Sequence, residues 1–579
     1  MPTNKWIVFG HHFAAIAGPG PLIGPTLAAQ FGYLPGTLWI LFGCVLGGAV
    51  QDFVILFASL RRDGKSLGKM IRDEIGVVSG YASLIGTLAI IIILIAVLGL
   101  VVVKALMHSP WGTFTVLMTI PIAMLIGVYL RIRPQGVLEA SIVGLSMFLL
   151  AVYGGKYIHH NPELAFIFNR SAIFLAFSVI IYGFFAATLP VWLLLTPRDY
   201  LSSFLKLGTI ALLVVALFIF HPQIQMPALT QFIDGSGPIF SGKIFPFLFI
   251  TIACGAISGF HALIASGTTP KIISSERDVR LIGYGSMLLE GLVAICAIIA
   301  ACILQPGIFF AINSPAAVLG DNPSAVINNF GFAFQLQDIE ILADLMGENS
   351  LLSRTGGAPS LAVGMANIFA SAFGSSMLAI WYHFAIMFEA IFILTTLDAG
   401  TRVARFMLED LIKQISKNQV KKTGIITSIF TSAAIVSAWG YFLYIGVLDP
   451  NGGINILWPL FGMSNQMLAG IALTLGMVII AKKNKLHSLI CAIPLAFVAA
   501  STSVAAIEKV FSDNVKIGFL SAANLWKEKI VAQNLSGEAL IFAQKIIFNQ
   551  YLVSLLALVF LAILWIVIID GLRVFFRKS

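Results

Sequence analysis

Long apolar runs alternate with short polar connections from one end of the chain to the other. A helix crosses a bilayer with roughly 18–20 apolar residues. Runs near or beyond that length recur at 6–30, 36–60, 80–107, 111–130, 136–155, 170–195, 203–220, 245–270, 281–304, 363–397, 424–447, 454–480, 486–506 and 550–572. They predict an all-α polytopic membrane protein with about fourteen transmembrane helices. The stretch 361–397 is too long for one straight crossing and too short for three. It predicts one crossing plus a re-entrant or broken piece, which membrane depth tolerates only inside protein or beside water. Ahead of it, 305–360 carries Pro306, Pro315, Pro323 and Pro359. That segment reads as a solvated connector or as a lid over an external entrance.

Composition strengthens this picture. Of 579 residues, 59% are apolar and 11% charged, against about 25% charged in soluble proteins. With a mean hydropathy of +0.96, a soluble enzyme or nucleic-acid binder is excluded. The net charge of +9 therefore reads as topology. With a cytoplasmic N-terminus and one crossing per span, 25 of the 35 basic residues fall on the cytoplasmic side, nine fall opposite, and Lys104 sits at a span end where it can snorkel. The cytoplasmic set includes Arg61, Arg62, Lys65, Lys69 and Arg72, then Arg402 to Lys422, Lys482 to Lys485, and Arg573, Arg577 and Lys578. Both termini are expected in the cytoplasm. Cys44, Cys254, Cys296, Cys302 and Cys491 form no CxxC pair and read as packing residues. The first apolar stretch has no A-x-A-like site after a short core, so it reads as a retained span.

The first and eighth spans resemble one another. Shifted by 249 residues, Gly10 meets Gly259, His12 meets His261, Gly18 meets Gly267 and Pro21 meets Pro270. Seven spans separate the two starts, so the segments run in opposite directions. Paired Gly/Pro-interrupted spans of opposite direction are the pattern of inverted repeats and two discontinuous helices in a secondary transporter. Proline removes an amide donor and glycine lets the backbone leave the helix. Half-helix N-termini can then hold an anionic group at the midplane, and freed carbonyls a cation. The competing reading is a pair of Pro-kinked helices that pack closely. Gly10, His12, Gly18, Gly259, His261 and Gly267 are the candidate substrate-binding residues.

Charges at membrane depth are costly, so ionisable residues there are functional candidates. Asp52 lies inside the second span and Glu290 inside the ninth, so each half carries a carboxylate after its broken element. His11 adjoins His12, while His383 and Glu389 share the 363–397 region. Imidazole and buried carboxyl groups suit proton relay, which makes His11, Asp52, Glu290, His383 and Glu389 proton-coupling candidates; for each, a structural hydrogen-bond role competes. Asp398 and Arg402, spaced i,i+4, read as a structural pair at the membrane edge. Asn465 and Gln466 can line a polar path or bond neighbouring helices. Ser59 to Ser66 imitates a phosphate-binding loop but lacks its leading glycine and its strand. No hydrolase constellation occurs. No catalytic residue, metal or cofactor is expected.

Several stretches are similar to the carbon starvation protein A (CstA) family. They are Phe9–Gly18 (FGHHFAAIAG), Gln51-Asp52-Phe53, Arg61–Gly68 (RRDGKSLG), His108–Gly112 (HSPWG) and Pro197–Ser202 (PRDYLS). Ile252–Lys271, around Ser258-Gly259-Phe260-His261-Ala262, Trp381–Ile386 (WYHFAI), Asp398–Arg402 (DAGTR) and Leu457–Gly462 (LWPLFG) extend the similarity. It runs from about residue 8 to 480; the last hundred residues are less distinctive. Family members carry further hydrophobic sequence before the Gly-His-His motif, which here begins at residue 10.

The resemblance implies a bacterial inner-membrane uptake system for peptides under carbon starvation, with an amino acid–polyamine–organocation-like fold. Its relatives include proton-coupled pyruvate importers. The expected organisation is a transporter core over 1–480, with a first repeat at about 6–220 and a second from about 245, followed by a C-terminal transmembrane region over 481–579. The expected partners are the lipid bilayer, protons and a small solute, either peptide or pyruvate, with no nucleic acid. A non-transporting membrane nutrient sensor is the alternative from another class, and the lack of a sizeable cytoplasmic domain argues against it.

Overall fold

A computed structural model describes residues 4–133, 135–190, 193–415, 425–449 and 453–577. Lys417, Lys421, Lys422 and Lys578, counted above as cytoplasmic charges, lie outside the described residues. In chain order the principal helices are α1 (Lys5–Ile16), α2 (Gly20–Ala28), α3 (Tyr33–Leu60, with a π-helical turn at Cys44–Gly48), α4 (Val77–Leu106) and α5 (Pro110–Ile132). Then come α6 (Val137–His160), α7 (Pro162–Phe168), α8 (Ala172–Thr188), α9 (Leu195–Phe220), α10 (Ile244–Thr251), α11 (Ala253–Ala256) and α12 (Gly259–Gly267). A π-helical turn at Arg280–Gly285 leads into α13 (Ser286–Cys302), and α14 (Ala358–Phe373), α15 (Leu378–Ile415), α16 (Ile425–Leu448) and α17 (Ile454–Ala481) follow. The chain ends with α18 (Leu489–Phe511), α19 (Phe519–Ala532) and α20 (Gly537–Phe576).

Among the described residues, eleven of the predicted spans are helices long and apolar enough to cross a membrane. The predicted span 170–195 is instead α8, joined to α7 across a 62° bend. Asn161 and Ser171 open these two helices with side-chain caps to Leu164 N and Phe174 N, as short polar residues do at helix starts. The first and eighth predicted spans are divided into short helices, which matches the expectation of two discontinuous helices. The chain is thus an all-helical, multi-pass membrane protein. Its outer faces carry bare apolar side chains such as Leu150 and Phe218, as lipid-facing surfaces do.

The two breaks have different causes. In the first, Ala17 N still bonds Phe13 O and Gly18 N bonds Ile16 O, both at 2.8 Å. Pro19 then supplies no amide, and the helix restarts at Gly20. In the second, Ile257 and Ser258 are extended and α12 starts at Gly259. In sequence the two breaks lie 240 residues apart, at Ala17–Pro19 and Ile257-Ser258, not at the 249-residue offset of the matched residues. His12 precedes its break while His261 follows its own, and Gly267 ends a helix instead of interrupting one. The matched residues quoted above do not occupy equivalent positions.

The two interrupted segments touch. A Cβ on Gly20 would stand 2.3 Å from Cys254 Cβ, and one on Gly24 would stand 2.5 Å from Thr251 O. No side chain fits between them. The 361–397 stretch resolves into α14, a 16-residue helix, and the first half of the 38-residue α15. The segment ahead of it is helical, buried at its start and largely exposed from Ala316 to Leu345. It folds into Pro306–Asn313, Ala316–Leu319, Pro323–Asn329 and Leu336–Met346, with Phe309 to Ile312 fully buried. The C-terminal helices pack on the core: Asp570 of α20 accepts from Ser79 of α4 at 2.8 Å, and Ser501 and Thr502 of α18 donate to Gln466 of α17.

Candidate functional site

The second break positions His261 on the first turn of α12, fully buried. Its Nδ1 is 2.8 Å from Asp52 Oδ2 on α3, and its Nε2 is 2.9 Å from Glu290 Oε2 on α13. All three side chains are shut off from solvent. The Asp52 contact is a hydrogen bond; the Glu290 contact has ion-pair distance without hydrogen-bond alignment. One imidazole thus links the carboxylates that follow the two interrupted helices. Gln51 Nε2 braces the cluster by donating to Ser258 O at 2.6 Å and Asp52 Oδ1 at 3.3 Å. Cys254 Sγ lies 3.5 Å from Glu290 Oε1.

Counting charge shows what this arrangement can do. Two carboxylates and a neutral imidazole total minus two, and the cluster reaches neutrality only by taking up two protons. Uncompensated charge in a low-dielectric interior costs several kcal/mol, so proton number and local structure are tied together. Cys254, His261 and Glu290 also bring a thiol, a ring nitrogen and a carboxylate oxygen within 4.8 Å of one another, a spacing that can hold a metal ion.

The other sequence candidates fall in different places. His12 is buried on α1 and its Nδ1 pairs with Thr269 Oγ1 at 2.8 Å, which ties α1 to the end of the second segment. His11, its neighbour, is exposed. Gly18 lies in the first break beside Thr396 of α15. Gly10 and Gly267 have open space where a side chain would stand, whereas a Cβ on Gly259 would meet Ala469 N and Asn465 O at 2.4 Å. Gly259 is therefore a close-packing position. Asn465 Oδ1 accepts from Phe260 N at 3.1 Å and from Ser258 Oγ at 3.3 Å, so it caps α12 at an amide that an anion would otherwise use. Gln466 bonds Phe249 O and the α18 hydroxyls, which is a helix-packing role.

His383 and Glu389 do not join the cluster. His383 stacks on Trp111 with ring centroids 4.0 Å apart and lies 4.0 Å from Glu348. Glu348 in turn pairs with Arg354 at 3.0 Å and accepts from Ser109 at 2.7 Å. Glu389 is buried on α15 with neither carboxylate oxygen hydrogen-bonded. The Asp398–Arg402 pair is corrected: Asp398 takes Tyr182 Oη at 2.5 Å and Arg198 Nη1 at 3.3 Å. Arg402 donates instead to Ala186 O and Leu189 O at the end of α8. A cation there satisfies helix carbonyls that have no intrahelical partner.

Sequence reading missed two buried cations on α9, Arg198 and Lys206. Arg198 belongs to the PRDYLS stretch and Lys206 lies inside the apolar run at 203–220, yet neither was among the candidate residues. A separate cavity of about 350 Å³, lined mainly by apolar side chains of α4, α5 and α8, contains none of the residues singled out from the sequence.

The chain matches the family described as carbon starvation protein CstA over residues 1–505. It is 51% identical to the "Peptide transporter CstA" of Helicobacter pylori strain J99, covering 99% of this chain and 85% of that protein. It is 50% identical to the Escherichia coli K12 "Peptide transporter CstA" over 93% of this chain and 78% of the relative. Identity to the Escherichia coli K12 "Pyruvate/proton symporter BtsT" is 46%, over 99% and 84% of the two chains. Among solved structures, the Eremococcus coleocola manganese transporter aligns at a TM-score of 0.46 and 13% identity, covering 99% of this chain and 97% of that one. MhsT in complex with L-phenylalanine aligns at 0.44 and 13%, covering 86% and 99%. By the family match over residues 1–505 and by these relatives at 46–51% identity, the chain belongs to the carbon starvation protein CstA family.

Proposed function

We propose that this chain is a proton-coupled secondary transporter of the bacterial inner membrane that imports peptides under carbon starvation. The observation that carries the reading is His261 held between Asp52 and Glu290 where the two interrupted helices meet. In this reading the solute binds around Gly10, His12 and Gly18 on one segment and His261 and Gly267 on the other, with Gly259 seating the second segment on α17. Asp52 and Glu290 exchange protons through His261, while His11, His383 and Glu389 are subsidiary coupling candidates. Both termini face the cytoplasm, the surroundings are lipid, and the protein performs no catalysis. Similarity to the peptide transporters of Helicobacter pylori and Escherichia coli supports peptide as the solute.

Pyruvate is the second reading, favoured by the similarity to the pyruvate/proton symporter over nearly the whole chain. A peptide brings an ammonium as well as a carboxylate, and Asp52 or Glu290 can receive it; pyruvate needs only an anion site. The deciding experiment is uptake into proteoliposomes under an imposed pH gradient, with labelled dipeptide and labelled pyruvate compared. Gradient-dependent accumulation of dipeptide bears out the proposal, and accumulation of pyruvate alone selects the second reading. Binding of either solute without accumulation marks a sensor and defeats both.

A further inference from the structure

The cavity of about 350 Å³ between α4, α5 and α8 is built like a slot for a chain molecule. Val102 and Leu106 of α4, Val116 and Ile120 of α5, and Leu175 and Val179 of α8 make its walls apolar. Leu117 and Phe174 also line it and are half exposed, so it opens sideways toward the bilayer. Along α8 it reaches from Phe174 to Tyr182, a rise of about 12 Å. One leaflet of hydrocarbon is about 15 Å deep. One end of the slot lies at Arg170, in the bend between α7 and α8. Its guanidinium stands 4.8 Å from the centre of the Phe174 ring and pairs with no carboxylate among the described residues. His108 N donates to Arg170 O at 3.3 Å, which places the arginine level with the end of α4, at the membrane edge opposite the Arg61–Arg72 connection. The floor at the other end is Tyr182 and Leu394. The Tyr182 hydroxyl meets Asp398 and Arg198. Leu394 is two residues from Thr396, whose Oγ1 lies 3.6 Å from the place of the missing side chain of Gly18 in the first break.

An apolar slot open to hydrocarbon fills with hydrocarbon. Wall atoms without neighbours forfeit their dispersion contacts, and a site without polar partners does not hold water. Chain packing alone does not select a lipid, because lipid tails are as apolar as the walls. The headgroup makes the selection. A guanidinium matches a phosphate in charge and in its fork of donors, and basic pockets between transmembrane helices bind anionic headgroups. A zwitterionic headgroup carries its own cation beside the phosphate, whereas an anionic one leaves its full charge to Arg170. We propose that the cavity binds one anionic phospholipid, with its phosphate on Arg170 and one acyl chain in the slot down to Tyr182 and Leu394. The chain backs Tyr182 where it meets Asp398 and Arg198, and backs α15 beside the first break, so bilayer composition sets how firmly that region is held. Binding rests on the membrane fold alone, and only the uptake measurement relies on the transporter reading.

The probe is phosphatidylglycerol, with phosphatidylcholine as the zwitterionic comparison. Native mass spectrometry of the purified chain is expected to find one phosphatidylglycerol retained by wild type, and far less phosphatidylcholine. Arg170→Gln should cut the retained fraction by about tenfold, the scale of one lost charge-assisted hydrogen bond, while Arg170→Lys keeps most of it. Ser178→Trp fills the slot from α8 and Leu117→Trp fills it from α5; each, with Arg170 intact, should lose the lipid. Phosphatidylglycerol should raise the melting temperature of wild type and not of the filled variants, because a ligand that binds only the folded state stabilises it. Uptake into phosphatidylcholine vesicles should rise several-fold when phosphatidylglycerol is added, and Ser178→Trp should lack that rise. Equal retention by wild type, Arg170→Gln and the filled variants overturns the inference. So does equal retention of the two lipids, or release of the retained lipid by dipeptide or pyruvate, which would make the cavity part of the solute's route. Wild-type uptake that ignores phosphatidylglycerol overturns the link to Tyr182. Retention and melting need no solute, so they stand or fail separately from the peptide and pyruvate assays.

Discussion

Gly20 faces Cys254 so closely that any side chain on the glycine would stand 2.3 Å from the cysteine's Cβ. The contact joins the segments just beyond the first break and just before the second. Gly20→Ala and Gly24→Ala must therefore push backbone apart, since Gly24 faces Thr251 O at 2.5 Å. Each is expected to lower stability by about 1–3 kcal/mol, the usual cost of overpacking. Gly10→Ala and Gly267→Ala, where nothing lies within 4 Å, are the controls. Thermal unfolding of the purified variants checks the contrast; equal melting of all four would mean that the segments do not meet in this way.

Asp52 carries the proton reading. Asp52→Asn preserves the shape of the group bonded to His261 and removes its capacity to ionise. Proton-driven accumulation is expected to drop by about a hundredfold, the scale of losing a positioned proton carrier. Counterflow exchange of solute, which needs no net proton movement, should persist. Wild-type accumulation in the variant would remove Asp52 from coupling.

Glu389 makes an opposite trade. A buried polar group with no hydrogen bond costs about 1–3 kcal/mol, and both Glu389 oxygens are in that state. Glu389→Leu is expected to melt higher than wild type by a margin of that order while losing gradient-driven uptake. A variant that is both more stable and fully active would show that the carboxyl group serves no transport step.

Glu74 sets a pH dependence outside the membrane. Burial pushes its carboxyl up, but hydrogen bonds from Lys482 and Arg62 outweigh that and hold it below the ordinary carboxylate value. The folded state therefore binds this proton less readily than the unfolded chain. The resulting stability is fully present above about pH 4.3, the ordinary glutamate value, and is lost as pH falls through the lower folded value. Glu74→Gln should cost about 1 kcal/mol at neutral pH, and the deficit should vanish on acidification. A deficit that persists in acid would assign the loss to packing.

The helix interruptions were legible because glycine and proline interrupt apolar runs, and the first break sits where Gly18-Pro19 predicts it. The second was misplaced by the same reasoning. Gly267 and Pro270 look like a break but end α12, while the true break at Ile257-Ser258 has no proline and is held open by Asn465, more than two hundred residues away. Asp52 and Glu290 stood out as charges in apolar sequence. That both address one imidazole depends on how α3, α12 and α13 pack, which local pattern does not encode. Asp398 illustrates the same limit. Its i,i+4 neighbour was the natural partner, yet the partner is Arg198, two hundred residues earlier. Lys206 was hidden by its position near a basic connection, where lysines ordinarily meet water.

The seating of Gly259 on α17 constrains how the molecule can move. Backbone presses on backbone there, and Asn465 fastens the first turn from the same helix. α12 cannot slide along its neighbour without breaking both attachments. Any rearrangement that swings His261 toward one side of the membrane must carry α17 along with α12 as a single lever.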